Sequence, residues 1–77
     1  MNGEEETSTL FVPEVGKVYM NRNGYKYRCI GVEGSTYTFV SAVGWVFHVR
    51  GIRINDHGRI EWDYSFGGRF DERYIRI

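Results

Sequence analysis

One cysteine and one proline in 77 residues remove two common ways of fixing a short chain. Disulfides are excluded because Cys29 has no second cysteine to pair with, and it reads as a small buried apolar residue. With only two isolated histidines beside it, the chain has no tetrahedral zinc spacing, and no metal or other cofactor is expected. No apolar run approaches the ~18 residues that a membrane span needs. The start, MNGEEETS, has neither a basic n-region nor an apolar h-region, so no signal peptide is expected. Without paired cysteines, a reducing cytoplasmic location is the expectation. No segment keeps a 3.6-residue apolar period over about ten residues, which leaves a glycine-rich phosphate loop no helix to precede.

Charge is scarce in net terms and uneven in placement. The net charge is zero. Residues 1–14 hold Glu4, Glu5, Glu6 and Glu14 and no basic residue, or −4, while residues 15–77 set ten Lys and Arg against six Asp and Glu, or +4. Residues 1–8 read as a disordered acidic tail and residues 9–77 as a single small domain. A charge of +4 is low for a non-specific nucleic-acid binder, which makes nucleic acid the least favoured partner.

Aromatic residues are what the chain has in quantity, at 17%. A core this small needs dense aromatic packing or self-association to offset chain entropy, and a homodimer or higher oligomer is expected. The densest stretch is Gly44 to Phe70, which carries both tryptophans and three of the five phenylalanines and reads as one long β-hairpin. Its centre, Asn55-Asp56-His57-Gly58, has the chemistry of a type I turn closed by a glycine with positive φ, which gives a G1 bulge. That loop pairs Asn55 with Arg59, Ile54 with Ile60, Arg53 with Glu61 and Ile52 with Trp62. Ile52, Ile54, Ile60 and Trp62 then share a core face, and Tyr64 and Phe66 continue the alternation. On the first arm Trp45, Phe47 and Val49 alternate with Val46, His48 and Arg50, but the parity slips before Ile52, so a bulge or bend is expected at Gly51. Gly67-Gly68 should end the second arm.

A second hairpin is expected at Asn23-Gly24, the strongest two-residue turn signal. It pairs Met20 with Tyr27 and Val18 with Cys29 in the core, leaving Lys17, Tyr19, Lys26 and Arg28 as a cationic outer face. Cys29-Ile30-Gly31-Val32 marks a further bend, Thr36–Ser41 a strand, and residues 74–77 a final strand. Five to six short strands with glycines at the bends predict an all-β fold: a small, strongly curved antiparallel sheet or an SH3-like or OB-like barrel.

Nothing in the pattern assembles a catalytic group. Glu61 and Asp63 lie two apart on one strand face, but ion pairing of Glu61 with Arg53 accounts for their spacing. The reading is therefore a non-enzymatic binding protein. Its candidate binding residues are the polar-face and strand-exit groups His48, Arg50, Arg53, Asp63, Tyr64, Arg69, Arg28 and Tyr19. Aromatic and guanidinium groups together anchor protein interfaces and also stack bases and fork onto phosphates.

Gly44-Trp45-Val46-Phe47, Gly58-Arg59-Ile60-Glu61-Trp62-Asp63-Tyr64-Ser65 and Gly67-Gly68-Arg69-Phe70 resemble a group of small proteins of bacteriophages and mobile elements of gut Firmicutes. The resemblance runs from Asn23-Gly24-Tyr25 through Phe70. No activity is attached to that group, so it implies a setting, a phage protein in a bacterial host cytoplasm, and no functional residues. By analogy, such a protein binds and blocks a host protein in an anti-defence role. Sequestration of a nucleotide signal is the alternative, and a nucleic-acid-binding barrel the third.

Overall fold

The computed structural model describes residues 8–74, so residues 1–7 of the expected tail and residues 75–77 of the expected final strand lie outside the described residues. Eight strands follow in order: β1 Ser8–Leu10, β2 Val18–Met20, β3 Lys26–Glu33, β4 Thr36–Ser41, β5 Trp45–Arg50, β6 Arg53–Asn55, β7 Ile60–Glu61 and β8 Tyr64–Phe70. The fold is all-β, with a single 3-10 turn at Glu72–Tyr74 and no α-helix among the described residues. Tyr74 therefore ends a helical turn where an extended strand was expected.

β2, β3, β4, β5 and β8 form one antiparallel sheet in that order, and the β6–β7 hairpin, extended by β1 on the far side of β6, forms a second layer. The large sheet is open: its outer strands, β2 and β8, do not pair with each other. It is not a closed barrel, because the three residues of β2 offer little to close against. The hairpin tip covers the core face instead.

The Gly44–Phe70 stretch is the long hairpin that the turn chemistry predicts. Its register is continuous from His48↔Phe66 through Arg50↔Tyr64 to Arg53↔Glu61 and Ile54↔Ile60. What the alternation does not reveal is a fold in the hairpin at Gly51 and Asp63. Gly51 takes φ 69°, and the Asp63 N–H donates to the Arg50 carbonyl at 3.2 Å. Beyond the fold, Ile52 and Ile60 pack with Cys29, Phe39, Phe47 and Val49, flanked by Trp62, Tyr27, Tyr37, Tyr19 and Phe11. Phe39 and Trp62 stack at 6.2 Å across the two layers. Before the fold, Tyr64 and Phe66 pair with Arg50 and His48 on the opposite, outer face. Both arms slip in parity, the second at Asp63, so Tyr64 and Phe66 leave the face that Ile60 and Trp62 occupy.

The strand does not end at the double glycine. β8 runs through it to Phe70, and Gly67 and Gly68 together oppose Phe47 as a bulge, with Val46↔Arg69 and His48↔Phe66 on either side. A comparable bulge in β3 falls between Cys29 and Gly31.

The first hairpin departs from expectation by one residue. It pairs Val18↔Arg28, Tyr19↔Tyr27 and Met20↔Lys26, so Val18 is exposed rather than core. Tyr19 turns inward onto Phe39 at 6.5 Å. The cause is Asn21. Its side-chain oxygen accepts the N–H groups of Asn23 and Tyr25 at 3.0 and 2.9 Å, and its backbone closes onto Tyr25 and Gly24. That makes a three-residue bulged loop at Asn23-Gly24, in place of the two-residue turn, and shifts every pair beyond it.

Candidate functional site

Of the eight candidate binding residues, three assemble. His48, Arg50 and Tyr64 lie together on the outer face of β5 and β8, gathered around Phe66. The Phe66 ring centroid is 5.4 Å from those of both His48 and Tyr64, and the Arg50 guanidinium carbon lies 5.5 Å above it. β4 flanks the cluster in the same sheet: Thr38 Oγ1 and His48 Nδ1 share a hydrogen bond of 2.9 Å, and Arg50 Nε donates to Thr36 Oγ1 at 2.9 Å. His48 Nε2 meets no carboxylate among the described residues. The threonine contact fixes the ring without the second anchor that a general base requires.

The other five are engaged elsewhere. Arg53 sits on β6 between two carboxylates, 2.6 Å from Asp63 and 4.0 Å from Glu61, so Arg53 and Asp63 neutralise each other beside the Gly51 bend. Arg28 Nη1 donates to the Gly16 carbonyl at 2.6 Å. Arg69 reaches Asp71 at 3.3 Å, and Arg73 meets the same carboxylate at 2.7 Å. Arg73, with Arg69 assisting, holds the Asp71 carboxyl well below the usual carboxylate range. Tyr19 is a core aromatic, and its hydroxyl oxygen accepts the Glu14 N–H at 2.9 Å. Arg28 and Arg50 lie on the large sheet, while Arg53 lies on the hairpin between Asp63 and Glu61.

The residues that sequence reasoning missed are apolar. Trp45 and Phe70 pair across β5 and β8, and with Phe66 they stand 48, 59 and 38% exposed. All seven residues of β8 are exposed, and no strand among the described residues pairs its outer edge. β8 has neither proline nor lysine to discourage pairing. Its one irregularity, the glycine bulge, makes room for side chains: a Cβ on Gly68 would stand 2.6 Å from the Trp45 indole.

Trp45 walls a cleft of about 890 Å³ at the end of the core face that the hairpin tip leaves uncovered. Tyr27 and Phe47 line it, Tyr25, Lys26 and Val43 stand around its rim, and it opens onto Ser65 and Gly68 of β8. Burial pushes the Tyr27 phenol up, so it stays neutral through the physiological range. No sequence signal locates this surface: Trp62-Asp63-Tyr64-Ser65-Phe66 alternates without a break, and only the fold at Asp63 sends Tyr64 and Phe66 outward.

No protein-family model matches the chain, and neither a curated protein nor a solved structure matches it significantly. Among the described residues no group of three or more His, Cys, Asp or Glu side chains is placed to hold a metal ion. No helix of the described residues is long and apolar enough to cross a membrane.

Proposed function

We propose that this protein is a non-catalytic binding module that captures an extended segment of another protein by adding it to β8 as a sixth strand. The observation that carries this reading is the open, fully exposed edge of β8, bordered by an aromatic cleft. Strand addition draws affinity from backbone hydrogen bonds along an edge and specificity from pockets for alternate side chains. β8 offers the edge, the Trp45 cleft the pocket, and the Phe66 cluster with Arg50 a second anchor of the kind that dominates interfaces. In the bacteriophage setting that the resemblance implies, the partner is a host protein in the bacterial cytoplasm, and capture blocks it.

The test is to recover a stable complex from host lysate and measure amide hydrogen exchange on it. Protection of the β8 amides, together with loss of the complex on Phe66→Glu or Trp45→Ala, supports the reading. A complex that leaves β8 unprotected and tolerates both substitutions sinks it.

The cleft also favours a second reading, sequestration of a nucleotide signal. An aromatic wall at Trp45 and Tyr27 with Lys26 at the rim can stack a base and meet a phosphate. A thermal-shift screen against linear and cyclic nucleotides decides this one, since tight binding raises the melting temperature.

A further inference from the structure

The two hairpin turns are built alike and lie side by side. In residues 55–59 the Asn55 side-chain oxygen accepts the N–H groups of His57 and Arg59 at 2.9 and 3.0 Å, while its backbone closes onto Arg59 and Gly58. Residues 21–25 repeat that network around Asn21, and Asn21 bridges directly to Ile60. Both asparagines are buried, at 8 and 7% exposure. Two rigid loops thus bring Arg22 from one turn and His57 and Arg59 from the other around a cleft of about 490 Å³, with Asn55 as the remaining wall.

Among the described residues, the two guanidinium groups of this cleft, Arg22 and Arg59, have no carboxylate partner, whereas Arg53, Arg69 and Arg73 each meet one. Glu61, beside the cleft, accepts from Nδ2 of the wall residue Asn55 at 3.2 Å. Asp56 Oδ1 lies 3.7 Å from His57 Nε2 at the loop tip and does not line the cleft. Like charges held around one opening repel, and an anion placed there relieves the repulsion. Guanidinium forks on fixed loops match phosphate oxygens in geometry and lose little freedom on binding. No Phe, Tyr or Trp ring lines the cleft to stack a base, so the group recognised is the anion itself.

We infer that the cleft between the two asparagine-held turns is a binding site for the phosphate monoester or pyrophosphate group of a small molecule, gripped by Arg22 and Arg59 with His57 beside them. It shares no lining residue with the Trp45 cleft, so this site and the β8 reading stand or fall separately. Competition from the chain's own carboxylates is one outcome to test. β1 starts at Ser8, opposite Asn55, and Glu4, Glu5 and Glu6 precede it.

The experiment is an amide chemical-shift titration of the full chain with inorganic phosphate and with pyrophosphate, against chloride at matched ionic strength. Saturable shifts confined to residues 21–25 and 55–59 are expected. Affinity should fall about tenfold for each of Arg22→Gln and Arg59→Gln, as the loss of a charged hydrogen bond implies, with the melting temperature unchanged. Absence of saturation, or shifts indifferent to both substitutions, overturns the site. Phosphate binding seen only in the triple variant Glu4→Gln, Glu5→Gln, Glu6→Gln overturns phosphate as the occupant in the intact chain. Tighter binding of a single-stranded oligonucleotide at the same amides overturns the small-molecule assignment.

Discussion

A buried asparagine oxygen that accepts two backbone N–H groups cannot be removed without leaving both donors dry. Asn21→Ala and Asn55→Ala are each expected to cost about 2 kcal/mol of stability, read as a shift of the urea midpoint. Aspartate separates the two sites. It keeps the acceptor oxygen for both N–H groups at residue 21, where the change should be mild. At residue 55 it sets a carboxylate against Glu61, whose Oε2 now accepts from Asn55 Nδ2 at 3.2 Å, so Asn55→Asp should be clearly worse than Asn21→Asp. Equal effects would show that the loops are not held as described. Asp71 gives a pH prediction at the same scale. Its carboxyl is depressed below the ordinary aspartate value of 3.8, so the stability it contributes is fully present above about that pH and is lost as pH falls below it through the depressed folded value. Wild type should exceed Asp71→Asn in stability at neutral pH, and the gap should close in an acid titration below about pH 4.

Among the elements, the folded hairpin depends on Gly51. Any side chain there must hold a positive φ, and its Cβ would stand 2.5 Å from Asp63 Oδ2, in a carboxylate that Arg53 holds through Oδ1. Gly51→Ala is expected to destabilise by about 2 kcal/mol. Adding Asp63→Ala should recover part of that loss by removing the steric conflict, and leave the backbone cost; a strictly additive pair would refute the contact. Much of the hairpin was legible beforehand. Its register follows from the Asn55–Gly58 turn, and the slip at Gly51 is visible in the alternation of β5. The matching slip at Asp63 was not, because Trp62-Asp63-Tyr64-Ser65-Phe66 alternates without interruption. The Asn23-Gly24 turn misled for a local reason: the dipeptide favours a two-residue loop, but Asn21 two residues earlier supplies an acceptor that stabilises the longer one.

At the level of the molecule, an open five-stranded sheet with an aromatic edge is a surface that seeks a partner. Without a host protein, a second copy can pair there. Light scattering is expected to rise from the 9.0 kDa monomer toward the dimer mass with concentration, and Phe66→Glu should return it to monomer. A monomer of constant mass at high concentration would contradict this. The all-β class, the bulged turn, the central hairpin register and the core placement of Ile52 and Ile60 were determined by the sequence alone, since turn chemistry and side-chain alternation act between near neighbours. Only the tertiary structure decided that the hairpin tip folds over the sheet instead of extending it, that the sheet stays open, and that Arg22 and Arg59 line one cleft. Those outcomes depend on which faces find each other across the chain, and a two-residue alternation carries no record of that.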